Sequence, residues 1–465
     1  MTGRTLLTWI VVICASGIAV LTRAASPVVL ASWSDQARPG WPRDARAGRP
    51  RHDDSAAGVT TTNRPMRDRQ AFVLTVGQTE GDLQGKDDKI LQAGIEYLHR
   101  LGGGTLRILP GTYTLNNALH LRPHITLHGS GETTILRKAD GVVTPVMRDS
   151  DWFEYGVQVK DPAGFVPGGG IMLRSRTGPG EWQFDVLRAT ITAIRGEVLF
   201  LDRLTLKNFW TDKEATAATI FPLLTAENVD DVAVKDLVLD GNRDRNQHVN
   251  GNYAGAVFIQ HCNRWRFENV TARNYNGDGF SFQVCDDIQF DHCRAIDNAD
   301  LGFHPGSGSQ RPVFRHCTAT GNSQGIFFCW SVSDGLAENC ILSENQRYGI
   351  SIGHRDTDNL IRHCTIERNA EVGILFRNES QEFRAGHRNR IESCTIRDNG
   401  AAKPGFGIDI QGKTQDITIR STKLENTAGG NQKTGIRIGK EAQRIVLQDN
   451  TFDGCPTPVE DLRNR

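Results

Sequence analysis

One short phrase is written out five times between Phe267 and Arg377, and it limits what the chain can fold into more than any other feature. It reads Phe267-Glu-Asn-Val270…Gly279-Phe-Ser-Phe-Gln283, then Phe290-Asp-His-Cys293…Gly302-Phe-His-Pro-Gly306, then Phe314-Arg-His-Cys317…Gly325-Ile-Phe-Phe-Cys329. It returns as Ala337-Glu-Asn-Cys340…Gly349-Ile-Ser-Ile-Gly353 and Ile361-Arg-His-Cys364…Gly373-Ile-Leu-Phe-Arg377. The place of Val270 recurs at Cys293, Cys317, Cys340 and Cys364, a period of 23 or 24 residues. A fixed period in this range predicts a solenoid, in which each repeat buries its apolar face only against its neighbours.

Within a coil, side chains of a strand alternate between core and exterior, and stacked strands about 4.8 Å apart turn equivalent positions into columns. The column Val257, Phe280, Phe303, Ile326, Ile350, Ile374, Ile408, Ile436 is apolar throughout and faces inward. Its outward neighbour reads Phe258, Ser281, His304, Phe327, Ser351, Leu375, Asp409, Arg437. Two residues further along run Gln260, Gln283, Gly306, Cys329, Gly353, Arg377 and Gln411. Cys293, Cys317, Cys340, Cys364 and Cys394 share one place in the repeat, as small buried hydrophobes would. Asn298, Asn322, Asn345, Asn369 and Asn399 each fall five residues later. Asn tolerates left-handed backbone geometry and can bridge to the next coil, which predicts a structural ladder.

Charge balances, with 54 basic and 54 acidic residues, so bulk electrostatics excludes a nucleic-acid binder. Residues 1–24, with Arg4 and an apolar run from Leu6 to Leu21, have the layout of a secretory signal. The expectation is a secreted or periplasmic protein, an uncleaved membrane anchor being the alternative. No later stretch is long enough to span a bilayer. Residues 25–70 are rich in Pro, Arg, Asp and Ala, lack periodicity, and read as a disordered linker. Of ten cysteines one, Cys14, lies in the leader; the remaining nine are read as mainly reduced, with a Cys262–Cys285 disulfide left open.

Residues 71–139 read as a capping segment and first coils. Asp87 and Asp88 can cap a helix with Ile90, Leu91, Ile95, Leu98 and Leu101 on one face, ending at Gly102-Gly-Gly104. Such a helix would close the open end of the solenoid. Residues 140–225 break the rhythm and predict an inserted β excursion, forming one wall beside the coils. Residues 226–465 hold the main coils and the C-terminal end.

The run Gly81-Asp82…Asp87-Asp88…Leu91-Gln-Ala-Gly94-Ile95, then Gly102-Gly-Gly-Thr105, Leu109-Pro-Gly-Thr-Tyr113 and Ile125-Thr-Leu-His-Gly129, resembles the N-terminal segment of the pectate-lyase superfamily. With the coils, the resemblance covers most of residues 72–455 and implies an all-β, right-handed parallel β-helix. That superfamily holds lyases, hydrolases, epimerases, tailspikes and proteins without known activity. Asn276-Gly-Asp278-Gly279 resembles the Asn-Thr-Asp-Gly motif of polygalacturonases, and Asp300 lies near that family's paired aspartates. The family's histidine would fall near Gln324, where this chain has none, and Tyr348 holds the equivalent place one coil later.

Glycosidic bonds are split by paired carboxylates or, beside a uronate, by a base that removes the proton at C5. Asp278 and Asp300, in neighbouring coils, are expected within about 6 Å. His304 is the candidate base or acid, because a neutral imidazole serves near pH 7. The structural alternatives are turn aspartates and a hydrogen-bonded surface histidine. Ser281, Gln283, Gln324, His354, Arg355 and Arg377 are candidate substrate contacts, Arg for its bidentate fit to carboxylate. Trp330 and Tyr348 are candidate platforms for sugar rings. No calcium-type acidic cluster is present; Asp286-Asp287 and Asp356/Asp358 in turns are the places a calcium ion would use. The expected function is cleavage or epimerisation of a polysaccharide in a groove on the outer strand face. A non-catalytic glycan-binding protein is the alternative, and either would be a monomer or a homotrimer.

Overall fold

The computed structural model describes residues 72–180, 183–249 and 255–463. The predicted secretory leader and linker lie outside the described residues. Helix Asp88–Arg100 opens on Asp87, whose carboxylate accepts from the N–H groups of Lys89 and Ile90 at 3.2 and 3.4 Å. Leu91, Ile95 and Leu98 are fully buried, so the apolar stripe closes the first coils as expected. Leu101 instead points to solvent at the helix end. Among the described residues no helix is long and apolar enough to cross a membrane.

Strands of successive coils pair in parallel, and the inward column is confirmed link by link. Val257 lies opposite Phe280, Phe280 opposite Phe303, Phe303 opposite Ile326, and the pairing continues through Ile350, Ile374 and Ile408 to Ile436. One face of the coils is an 11-stranded parallel sheet from Leu119–His120 to Thr457–Asp461. The phenylalanine rings stack from coil to coil, Phe280 on Phe303 at 5.1 Å and Phe290 on Phe314 at 5.2 Å between centroids.

Both ladders form. Asn298 Nδ2 donates to Asn322 Oδ1 at 2.9 Å and to the Ala272 carbonyl at 3.1 Å. The same pair of bonds repeats down to Asn399, which donates to Gln432 Oε1 at 2.9 Å. The five ladder cysteines are buried, and the nine cysteines of the described residues are all free, Cys262 and Cys285 included. The residue before each ladder cysteine (His292, His316, Asn339, His363, Ser393) takes a left-handed φ between 50° and 55°. That bend turns the chain from one short strand into the next, and the ladders on either side hold it.

The excursion is a separate six-stranded antiparallel sheet, Val143–Pro145 to Thr216–Ala218, with its own core of Val157, Ile171, Leu173, Ile191 and Phe209. It interrupts a coil rather than ending one, since Leu119 pairs directly with Leu224 across it. Lys138, entirely buried where the chain departs, ties the junction together. Its ammonium donates to the Thr219 carbonyl at 2.9 Å and to Asn246 Oδ1, and it lies 4.8 Å from the Phe221 ring. Burial without an acidic partner lowers its pKa to about 7.

Candidate active site

The outward column faces away from the core but is not open to solvent. Ser281, His304, Ser351, Leu375 and Asp409 are all buried, as are Gln283 and Gln324 beside them. Sequence periodicity placed these side chains on a surface, and it could not see the longer side chains that roof them. Arg188 of the excursion lies 4.4 Å from the Phe258 ring, Arg377 lies 4.4 Å from Phe327, and Arg437 lies 3.8 Å from Phe406. Gln283 donates to Ser281 Oγ at 3.3 Å and fills the space that a side chain at Gly306 would need.

At the centre of this face the register sets Ser281 beside His304. Asp278, at the start of its strand, reaches His304 with 2.7 Å between Oδ2 and Nδ1, and each side chain is 4% exposed. Its second oxygen accepts from the Leu301 N–H at 3.1 Å, so the carboxylate is held at both ends. Burial disfavours a charged imidazole, but the Asp278 carboxylate outweighs it and carries the His304 pKa up to about 10. Burial likewise lifts the Asp278 carboxyl above the usual range, against the pull of His304. The shift favours the protonated ring, the acid side of the base-or-acid role considered for His304. Its Nε2 finds no hydrogen-bond partner among the described residues.

Asp300 lies close enough for its charge to act on Asp278, yet it turns to His248, with 3.2 Å between Oδ1 and Nε2. This contact, with the Asn276–Gln247 hydrogen bond, brings the segment after Asp240 over the edge of the site. Hydrogen bonding to Asp300 raises the His248 pKa. His248 has no repeat partner, which is why periodicity missed it.

Arg377 is not free to hold a substrate carboxylate bidentately. Its guanidinium donates to Asp356 Oδ2 at 3.0 Å, Ser351 Oγ at 2.8 Å and the Phe328 carbonyl at 2.8 Å, with Nε the nitrogen that has no partner among the described residues. Asp356 is fully buried and accepts from the Val332 and Gly353 N–H groups, each at 3.0 Å. Burial raises its pKa to about 7 despite Arg377. Further along, His354 Nε2 lies 2.9 Å from Glu379 Oε1, and Trp330 stacks on its ring at 4.8 Å. Arg355 lies 5.8 Å from the Trp330 ring, so this candidate group is brought together. Tyr348 stands apart, under Arg347, whose guanidinium donates to its hydroxyl at 2.7 Å. Gln324 keeps a buried, unpartnered Oε1 beside Leu301 and Tyr348.

Between the excursion and the sheet runs a groove of two adjoining cavities. One, of about 420 Å³, is lined by Phe184, Val186, Arg188 and Lys207 on one side and by Phe258, Gln260, Gln283 and Ser307 on the other. The second, of about 320 Å³, continues it past His120, Arg203 and Glu227. Arg188, Arg203 and Lys207 come from outside the repeat, so coil alignment gave no signal for them. Asp286 and Asp287 are bound by Arg311, and Asp358 by Arg388, so the suggested calcium positions are taken by ion pairs.

A family description, "Right handed beta helix region", matches residues 237–384. Among solved structures, the chain is similar to the A-modules of two Azotobacter vinelandii mannuronan C-5 epimerases. For AlgE6 the identity is 15% and the TM-score 0.52, covering 80% of this chain and 91% of that one. For AlgE4 the identity is 16% and the TM-score 0.52, covering 83% and 97%. No curated protein matches the sequence. The chain has a right-handed parallel β-helix fold.

Proposed function

We propose that this protein is an exported enzyme that cleaves or epimerises an acidic polysaccharide. The glycan lies in the groove between excursion and sheet, and Asp278–His304 supplies the proton-transfer group. The observation that carries this reading is the buried Asp278–His304 pair, whose Nε2 has no hydrogen-bond partner among the described residues, on the outer strand face beside a groove that ends at Gln283 and Ser307. A scaffold needs no such pair, since a charged ring without a full set of acceptors is destabilising in a low-dielectric site. A positioned imidazolium suits protonation of a leaving glycosidic oxygen, a step common to elimination and hydrolysis. Arg188, Arg203 and Lys207 favour anionic sugars. The epimerase modules that share the fold act, by their names, on mannuronan, a uronate polymer.

The burial of the pair favours one other reading, in which Asp278–His304 braces the coils and the groove only binds glycan. A screen of purified protein against uronate and neutral polysaccharides separates them. Ultraviolet-absorbing products mark a lyase, new reducing ends without them a hydrolase, and changed uronate proton signals at constant length an epimerase. Binding without turnover, unaltered in His304→Ala, would sink the enzymatic reading. Size measurement on the same sample separates monomer from homotrimer.

A further inference from the structure

The bend ahead of each ladder position calls for a side chain that tolerates a left-handed φ, and the coils fill it with Asn269, His292, His316, Asn339, His363 and Ser393. Histidines stand in adjacent coils at one step of this column alone, His292 and His316. At that step an acidic residue, Asp291, precedes the first of them. The bend does not ask for this combination, since Asn serves it equally well at 269 and 339.

The three side chains leave from the corner between short strands of the 22-stranded sheet, which is not the sheet that carries Asp278 and His304. Asp291 Oδ1 lies 3.0 Å from Nδ1 of His292 and 3.0 Å from Nδ1 of His316. The two imidazole rings stack with centroids 4.6 Å apart and planes 22° apart. One donor atom from each of the three residues lies within 4.8 Å of the other two. Bonds of about 2.0–2.2 Å to a shared ion set neighbouring donors about 3.0–3.5 Å apart, so both carboxylate–imidazole spacings already suit one. Arg315, opposite Asp291 in the register, is the cation that would oppose a metal here, and its charge is matched by Glu338 at 3.3 Å.

We propose that Asp291, His292 and His316 form a binding site for one divalent transition-metal ion. Two imidazole nitrogens and one carboxylate oxygen select zinc, copper(II) or nickel(II) over calcium and magnesium, which prefer sites made of oxygen alone. Each ring would bind the ion through Nδ1 and keep its proton on Nε2. At His316 that second nitrogen lies 3.4 Å from the Asn339 amide, which rotates to present its oxygen and so fixes the ring from behind. All three side chains are open to solvent, so the ion has access and its remaining positions hold water. Because His292 and His316 belong to successive coils, the ion would also tie one coil to the next. The site is separate from the groove and from Asp278–His304, and does not depend on the polysaccharide reading.

Titration of the full chain, free of any affinity tag, with zinc chloride in a calorimeter tests this. The expected result is one equivalent bound, with no comparable uptake of calcium or magnesium. The double variant His292→Asn/His316→Asn keeps the backbone bend, as Asn339 does at the same place, and should lose that equivalent. Zinc should raise the unfolding temperature of the native chain and leave that of the double variant unmoved. Copper(II) read by electron paramagnetic resonance reports the donors directly, with nitrogen splitting from two imidazoles in the native chain and from one in His316→Asn. Absence of stoichiometric zinc uptake by the native chain, or uptake undiminished in the double variant, overturns the proposal. Neither result bears on the polysaccharide screen, which reads a different face of the molecule.

Discussion

Two imidazole–carboxylate pairs sit on the same face of this helix, and their rings' pKa values are shifted in opposite directions. Asp278–His304 spans 2.7 Å and is closed off, while His354–Glu379 spans 2.9 Å with the ring 29% exposed. By burial alone, the more exposed pair should be the more easily protonated. The reverse holds. At His304 burial acts to lower the pKa, but the Asp278 carboxylate outweighs it, with Cys329 acting in the same direction, and the pKa rises to about 10. The His354 pKa is lowered, by burial first and then by Arg377, with Arg384 and Arg355 acting in the same direction, against Glu379. Burial lowers the pKa of both rings; Asp278 outweighs it at His304, whereas at His354 Glu379 is outweighed by burial together with Arg377, Arg384 and Arg355.

The largest expected effect comes from removing the charge that sets this contrast. Asp278→Asn removes the largest influence that raises the His304 pKa, so burial pulls that pKa down. Turnover on the responsive polysaccharide should fall about 100-fold or more. Stability should fall by about 3–5 kcal/mol, the usual cost of leaving one member of a buried ion pair. Kinetics and urea denaturation on the same preparation check both. Unchanged turnover with lowered stability would make the pair a brace.

Next in size is Arg377→Met, which acts on the other pair from behind. Asp356 would be left buried with its charge unmatched, for about 3–5 kcal/mol at pH 8. Below pH 7 Asp356 takes up a proton in the folded chain, so the loss should shrink by pH 5.5. The same variant removes the largest cation acting on His354, whose proton-detected titration should move upward. A loss independent of pH would show that Asp356 stays charged throughout.

A third comparison uses pH directly. The folded pKa of His304 lies above its unfolded value of about 6.5. The stability it contributes is therefore fully present below about pH 6.5 and disappears as pH rises through about 10. The stability gap between the native chain and His304→Gln should narrow across that window. Lys138 runs the other way: its folded pKa of about 7 is depressed, so the native state loses stability as pH falls from about 10.5 towards 7. Measuring the difference between chains cancels the Lys138 contribution.

Much of this molecule could be read from residue order, and the boundary of legibility is physical. The inward column, the asparagine and cysteine ladders, the capping helix and the excursion all follow from period, size and turn chemistry. So did the positions of Asp278, His304, Trp330 and His354, because each departs from its column. What period could not supply was who lies above a column. Arg377 looked like a free guanidinium, and Asp356, one coil's turn away, had no repeat partner to announce their pairing. Glu379 stands in the insertion after Arg377, outside the phrase, and Arg188 comes from a sheet with a different rhythm. The protonation of His304 also escaped, since it depends on which charges surround a buried ring in three dimensions.

The smallest effect is the sharpest check on the comparison. Glu379→Gln removes the one group acting on His354 that favours its charged form, while leaving the Arg377, Arg384 and Arg355 influence in place. The amide can still accept from the ring, and the His354 N–H that bonds Glu379 Oε1 at 3.3 Å keeps an acceptor. Stability should therefore hardly change, while the His354 pKa drops further. Histidine-resolved nuclear magnetic resonance separates this signal from His304, which should not titrate below about pH 9. If instead His354 rises when Glu379 is neutralised, the cations are not what hold the ring neutral, and the two pairs differ by burial alone.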